Sequence, residues 1–426
     1  MHQHKHHYHF ERLGWVICIL AAFFYCYEYL LRIEPSVMVT DLMTTFKITA
    51  TSLGVLSAMY YYAYTPLQAI VGMIIDYFGP RRVLLLAIAL CALGSWVFGI
   101  SNNLYLAGLG RFLIGAGSAF AFVGALKLAA IWLPHERFAL FVGMTTGLGM
   151  VGAMIGDVSM SAAVYHLGWH SVILWGIYIG VVLFILFFFF VREHHPKDQP
   201  HPAAMYLPFK ELMISFAQIT KDKQLWFAGL LGCMLYLSLS AFAEMWGIAF
   251  VHSAGHVPNY FAAKLNSAVF LGWLIGSPFS GWISNKIKSR RKPLLVGSLL
   301  AAFMMTLILM MPQAHPIILA IFLFLFGLFS SSEILVFVVA RESVKLKVTA
   351  TAVSFVNFVI MLGGMIFQPL IGWLLDWHWT GQSSHGVRVY SVLDFKLALL
   401  VIPVLMLMSA LLAYFLKETY RPSHRI

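Results

Sequence analysis

Among the charges that stand inside otherwise apolar stretches are four carboxylates and one guanidinium. Glu28 and Arg32 fall in the run 13–39, Asp157 in 138–165, Glu244 in 225–251 and Glu333 in 316–340. Charge in hydrocarbon is costly, so such residues mark helices shielded from lipid and paths lined by protein or water. A carboxylate placed there can take up and release a proton, and a guanidinium can hold a phosphate or carboxylate through two hydrogen bonds. Residues three or four apart share a helix face. On that rule Tyr25, Glu28, Tyr29 and Arg32 form one stripe and Tyr60, Tyr64 and Gln68 a second. Tyr236, Ser240 and Glu244 form a third, and Ser354, Asn357, Met361, Gly364 and Gln368 a fourth. Four polar stripes imply a wet cavity. Arg32, Tyr25, Tyr29, Tyr60, Tyr64, Tyr236, Trp246, Asn357 and Gln368 are expected to bind a substrate, and Glu28, Glu244, Glu333 and Asp157 to carry protons. Glu28 lies about 16 residues, roughly 24 Å, into its helix and so near mid-bilayer.

The elements that position these groups follow from composition. The 426 residues are 61% hydrophobic and 11% charged, with a mean hydropathy of +0.83, which excludes a water-soluble globule. Soluble dehydrogenases, kinases and nucleic-acid-binding modules go with it. Helix-length apolar runs also exclude a membrane β-barrel, whose strands alternate over about 10 residues. A crossing helix needs roughly 20 apolar residues. The runs at 13–39, 50–75, 83–100, 104–132, 138–165, 169–191, 225–251, 262–284, 293–311, 316–340, 348–375 and 391–416 give twelve spans. An all-α membrane protein of two six-helix bundles is expected, with a tail at 1–12, a bundle at 13–191, a linker at 192–224, a second bundle at 225–416 and a tail at 417–426.

Charge sets the expected orientation. Of the 28 Lys and Arg, 21 fall in segments on the side of the N-terminus, and Lys47, Lys264, Arg388 and Lys396 fall on the other. By the positive-inside rule both termini face the cytoplasm. The net charge of +11 thus reflects topology, and no nucleic-acid partner is expected. The first apolar run is too long for a signal core and continues through Glu28 and Arg32, so no cleavable leader is expected. No asparagine begins an Asn-x-Ser/Thr sequon, and with short outer loops this favours a bacterial inner membrane. Cys18, Cys26, Cys91 and Cys233 all lie within spans, so no disulfide framework or zinc spacing arises. The histidines of MHQHKHHYHF, with His194, His195 and His201, lack an accompanying acid or thiol and are taken as solvated tails, with metal and cofactor sites expected to be none.

Away from their ends spans 3, 6, 9 and 12 hold no Asp, Glu, Lys or Arg, whereas spans 1, 4, 5, 7 and 10 do. Three-helix units with the third helix outermost produce this pattern and place spans 1, 4, 7 and 10 around one polar pathway.

Gly72-Met-Ile-Ile-Asp76-Tyr-Phe-Gly79-Pro80-Arg81-Arg82 resembles the G-x-x-x-D-R-x-G-R-R loop of the major facilitator superfamily, in the place where that family has it. A second copy runs Gly281-Trp-Ile-Ser-Asn285-Lys286-Ile-Lys-Ser-Arg290-Arg291-Lys292, six spans later. Arg111-Phe-Leu-Ile-Gly115-Ala-Gly117 is similar to the family's R-x-x-x-G-x-G motif, and Gly149, Gly152 and Gly156 to its antiporter motif without the proline. In physical terms Asp76 can cap a neighbouring helix, and Arg81 and Arg82 can pair with acids or carbonyls of span 11, a gate latch of which the second copy is a weaker version. The glycine ladder of span 5 suits close helix packing.

Tyr29-Leu-Leu-Arg32 followed by Pro35 is similar to the organophosphate and organic-anion permease branch, where a span 1 arginine helps bind the substrate's anion. That branch's phosphate exchangers add a cation in span 7, where this chain carries Glu244. The resemblance implies a monomeric secondary transporter without cofactor, working by alternating access. The departure favours a zwitterion, monocarboxylate or neutral nutrient, coupled to protons. Phosphate-linked exchange resting on Arg32 and Lys127, siderophore or metal-chelate uptake, and a sensor on a transporter scaffold are the alternatives. No His-Glu-x-x-His or Gly-x-Ser-x-Gly element lies in a span, so an intramembrane enzyme is not expected.

Overall fold

Apolar stretches of this length fold as helices because lipid offers no partner for backbone N–H and C=O groups, and a helix satisfies its own. The computed structural model describes residues 2–192, 217, 219–345, 348–384 and 386–420, and of residues 2–12, 135, 136 and 139 the backbone alone. Most of the linker, the histidine side chains of the N-terminal tail and the end of the C-terminal tail lie outside the described residues. The first helix runs without interruption from His2 to Val37.

The spans are Leu13–Val37, Ala50–Gln68, Pro80–Gly99, Leu104–Trp132, Leu140–Leu167 and Trp169–Phe190, then Lys223–Gly255, Asn259–Lys286, Arg291–Met310, Pro316–Ser343, Thr349–His378 and Val392–Phe415. Ten of them are by themselves long and apolar enough to cross a membrane. Span 2 follows the short helix Val39–Phe46 at a bend of 111°. Span 8 has 28 residues, about 42 Å, long enough to cross although Lys264 and Asn266 lower its hydropathy. Span 2, expected to continue to residue 75, breaks after Gln68 and resumes as Val71–Phe78. Pro66 lies just before the break, where the Ala69 and Ile70 amides turn back to the Pro66 and Leu67 carbonyls at 3.3 and 3.0 Å.

The packing repeats with a shift of six spans. Pairings 1–5, 2–4, 3–4 and 3–6 in the first half recur as 7–11, 8–10, 9–10 and 9–12 in the second. The close approaches repeat as well. A Cβ on Gly115 of span 4 would stand 2.0 Å from the Tyr60 carbonyl oxygen of span 2, and one on Gly327 of span 10 would stand 2.1 Å from the Val269 oxygen of span 8. Only glycine permits such backbone contact. This is the expected pair of pseudo-symmetric six-helix bundles, and span 7 is the most enclosed of the ten, at 78% buried, against 33% for span 6.

The halves meet where span 2 lies along span 11 and span 5 along span 8. Gly54 faces the Gln368 backbone, Gly364 the Tyr61 ring and Gly372 the Ala50 carbonyl. A two-residue hairpin pairing Ser383–Ser384 with Val387–Arg388 lies between spans 11 and 12. All four cysteines are free, and Cys18, Cys91 and Cys233 are buried.

Candidate functional site

Span 1 places Glu28 and Arg32 one turn apart, and the approach of span 4 fixes the backbone beneath them. Arg111 donates from Nη1 to the Leu31 carbonyl at 2.6 Å and from Nη2 to the Arg32 carbonyl at 3.1 Å. It also stands 3.9 Å from Glu34. Gly149, Gly152 and Gly156 of span 5 lie against Tyr25, Cys26 and Ile33, so that helix closes the other flank of span 1.

Arg32 is 3% exposed and lies where the two halves join. Its Nε donates to Glu28 Oε1 at 2.9 Å and to Tyr60 Oη at 3.2 Å, and Nη2 donates to the same Glu28 oxygen. Nη1 donates to Tyr236 Oη at 2.9 Å and stands 3.7 Å from Glu244 Oε1. Tyr236 and Glu244 both belong to span 7. Tyr60 donates its hydroxyl to Glu28, and Tyr61 donates to Glu244 Oε2. The rings of Tyr29, Tyr64, Tyr60 and Tyr61 lie 4.5, 5.1, 5.3 and 6.0 Å from the guanidinium carbon, within cation–π range. Glu28 and Glu244 are fully buried. One guanidinium therefore serves two carboxylates, one from each half, inside a cage of tyrosines.

The acids of spans 5, 7 and 10 all sit where the helix departs from α geometry. Asp157 lies in the π-helical segment Gly156–Met160, Glu244 in the π-helical segment Ser238–Trp246 and Glu333 in the 3-10 turn Ser331–Ile334. Such irregularities recur at functional sites and hinges. Asp157 accepts from Asn266 Nδ2 at 2.7 Å, and that nitrogen also donates to the Ala243 carbonyl at 2.9 Å, so one amide ties spans 5, 7 and 8 together. Asp157 is thus not in the Arg32 cage. Neither is Glu333, whose turn packs on spans 7, 8 and 9 and which makes no ion pair among the described residues. Span 2, rather than span 10, completes the central cluster, because Gly115 lets span 4 press Tyr60 inward.

Several expected substrate residues are placed elsewhere. Tyr25 stacks edge-on with Tyr29 at 5.2 Å and packs on Phe122 at 5.0 Å. Asn357 donates to Gln68 Oε1 at 3.0 Å and Gln68 to the Ala119 carbonyl at 3.2 Å, one span-2 turn beyond Tyr64. Gln368 donates to the Ser240 carbonyl at 2.6 Å, and Trp246 to the Gln368 carbonyl at 3.1 Å. These two pin span 11 to span 7.

Two contacts of the first loop motif lie within its own half, and for Arg81 this replaces the expected contact with span 11. Asp76 pairs with Lys127 of span 4 at 2.6 Å, and Arg81 donates to the Phe188 carbonyl of span 6 at 2.8 Å. Gly79 supplies φ 83° at the turn into Pro80, while Gly72 has open space around it. The second copy is more tightly bonded than expected. Arg290 pairs with Glu342 at 2.9 Å and donates to Asn285 Oδ1 at 2.7 Å, and Glu418 accepts from Ser289 Oγ at 2.5 Å and Arg290 N at 2.8 Å. Arg291 lies 4.8 Å over the Tyr414 ring. Among the described residues, bonds that join the halves lie at the opposite end and the middle, and at Asn357–Gln68 towards the loop end. Thr51 donates from N and Oγ1 to Asp376 Oδ2 at 2.9 and 2.5 Å, and Ala50 N donates to Tyr390 Oη at 3.0 Å. Further along, Thr65 donates to the Met361 carbonyl at 3.4 Å.

Sequence reasoning missed Tyr61, Glu34, Asn266 and the Thr51–Asp376–Tyr390 seal. Tyr61 adjoins a stripe already read, and Glu34 lies within the same apolar run as Arg32, so both carried a signal. No group of three His, Cys, Asp or Glu among the described residues is placed to hold a metal ion.

Two repeated six-helix halves that share a buried charged centre are the architecture of a polytopic membrane protein. The family model described as Major Facilitator Superfamily matches residues 17–367 and 261–426, and the chain belongs to that superfamily. An uncharacterized transporter, YybO, of Bacillus subtilis is 28% identical over 187 residues, 44% of this chain and 42% of its own. A probable sulfoacetate transporter, SauU, of Cupriavidus necator is 25% identical over 43% of this chain and 41% of its own, and the probable anion transporter 5 of Arabidopsis thaliana is 27% identical over 47% and 51%. The chain thus spans about half the length, or less, of the curated relatives it matches. Among solved structures, a bacterial homologue of the human lysosomal transporter Spinster, inward-facing and unoccupied, superposes with a TM-score of 0.76 at 14% identity, covering 95% of this chain and 97% of that one. The nucleoside transporter NupG, in a point-mutant form, gives 0.74 at 14% identity over 95% and 99%. These likenesses show the fold.

Proposed function

We propose that this transporter moves a small organic anion or zwitterion by alternating access, coupled to protons, in a bacterial inner membrane with both termini cytoplasmic, as a monomer that catalyses no chemistry. The observation that carries this reading is Arg32, a buried guanidinium at the junction of the halves, contacted by both. An anion bound there touches both halves and is released when they part. Guanidinium recognises planar acid groups through paired donors, and the names of two relatives, a probable sulfoacetate transporter and a probable anion transporter, agree in chemistry. Phosphate-linked exchange is the second reading, and Glu244 in place of a second cation weakens it.

Proton coupling assigns the Glu28 and Glu244 pair as the carrier, because the two carboxylates share Arg32 and each keeps one oxygen without a hydrogen-bond partner among the described residues. Glu28→Gln is expected to abolish accumulation driven by a proton gradient while preserving exchange of labelled for unlabelled substrate. Wild-type accumulation by this variant in proteoliposomes would remove Glu28 from the proton path and leave Glu244, Asp157 and Glu333 as carriers.

A further inference from the structure

We infer that Glu244 is a built-in counter-anion: it faces Arg32 while substrate is absent, yields that place to the acid group of a singly charged substrate, and leaves as the neutral acid with one proton bound. The inference rests on the proposed reading that Arg32 binds the substrate's anion. Its basis is the inequality of the two carboxylates. Glu28 sits on the same helix as Arg32, one turn away, and takes hydrogen bonds from Nε and Nη2. Glu244 comes from the other half, its Oε1 stands 3.7 Å from Nη1 beyond a normal hydrogen bond, and that oxygen has no hydrogen-bond partner among the described residues. Glu244 is therefore the carboxylate that can be displaced. The place it takes is an acid's place, on the Nη1 edge of the guanidinium beside the Tyr236 hydroxyl.

Charge then sets stoichiometry and substrate class. With Glu28 and Glu244 ionised the cluster carries one net negative charge. A monoanion adds a second in a medium where uncompensated charge is costly. One proton on Glu244 restores the original sum, so each monoanion brings one proton and the cycle moves no net charge. A dianion would leave the excess in place. The groups that face Glu244 are Arg32, Glu28 and Tyr29 of span 1, Tyr61 and Tyr64 of span 2, Tyr236 of its own span, Arg111 of span 4 and Asp157 of span 5. Arg32 is the cation in contact with it, and Tyr61 supplies the hydrogen bond that Glu244 accepts.

The test is thermal unfolding of the purified full-length protein with added acetate, methanesulfonate, sulfate or sulfoacetate at pH 5.5 and 7.5. Wild type should be stabilised by the monoanions, more strongly at pH 5.5. Glu244→Gln, which keeps the shape and removes the charge, should respond at about tenfold lower monoanion concentration and equally at both pH values. Tyr61→Phe, which frees Glu244 Oε2, should lie between the two and reads the same competition if the first variant does not fold. Unchanged concentration and pH dependence in both variants would overturn the counter-anion role while leaving anion binding intact, and a response to sulfate or sulfoacetate, both dianions at these pH values, equal to that to the monoanions would overturn the charge argument. No response to any anion in any form would overturn the reading of Arg32 itself, and the counter-anion role with it.

Discussion

Replacing Arg32 by alanine is expected to destabilise the protein by about 3–5 kcal/mol, the usual cost of leaving buried partner charges uncompensated. Glu28 and Glu244 would both lose their cation, and the tyrosine cage its charge. Arg32→Lys is the more informative variant. It keeps the positive charge, so the fold should survive, but an ammonium is a point charge that cannot reach Glu28, Tyr60 and Tyr236 from one planar group. Anion affinity should fall by tenfold or more, about 1.4 kcal/mol or above. Thermal unfolding together with substrate concentration dependence checks both variants. A lysine variant with unchanged affinity would place the anion elsewhere, and an alanine variant with unchanged stability would contradict the buried ion cluster.

The second large effect concerns the seal between the halves. A side chain on Gly372 would meet the Ala50 carbonyl oxygen at 2.3 Å and its carbon at 2.7 Å, both across the junction, and one on Gly54 would meet the Gln368 oxygen at 2.5 Å. Gly372→Leu therefore disfavours the conformation in which spans 2 and 11 touch at the Thr51–Asp376 end. Overpacking of this kind costs about 1–3 kcal/mol. Spread over two conformations, that shifts their ratio roughly 5- to 150-fold toward the one open at that end. A single cysteine at Ser253, which donates to the Tyr390 carbonyl at 3.2 Å, in a background without Cys18, Cys26, Cys91 and Cys233, reports the change through labelling by a membrane-impermeant maleimide. Labelling should rise strongly in Gly372→Leu. Gly327→Leu is the control, because its clash with Val269 lies within one half and should lower stability without raising labelling. Equal labelling in wild type and Gly372→Leu would mean that this contact does not gate access.

Much of this arrangement was legible in the chain. The twelve helices follow from the apolar runs, and the two halves from the repeated loop motif. Arg32, Glu28, Tyr60 and Tyr236 were readable as stripe members because a straight α-helix repeats every three or four residues. The rule weakened where the helices stop being α. Asp157 and Glu244 lie in π-helical segments and Glu333 in a 3-10 turn, and there spacing does not tell which way a side chain points. Asp157 accordingly turned to Asn266, and Glu333 to the interior of its own half. Cross-half partners were out of reach for a different reason. Thr51 and Asp376 are 325 residues apart in sequence, and nothing local marks them as neighbours. The Arg81 contact with the Phe188 carbonyl has the same origin, since a carbonyl acceptor leaves no trace in residue type.

The central claim is proton-coupled transport of an organic anion held by Arg32. Its most direct test is uptake by proteoliposomes of a mixed panel of monocarboxylates, sulfonates, amino acids and phosphate esters, read by mass spectrometry, with an inward proton gradient, with no gradient and with phosphate loaded inside. Accumulation of a singly charged acid under the proton gradient, and its loss in Arg32→Lys, is the expected result. Uptake that requires internal phosphate and ignores the proton gradient would contradict the account and establish exchange of phosphorylated compounds instead.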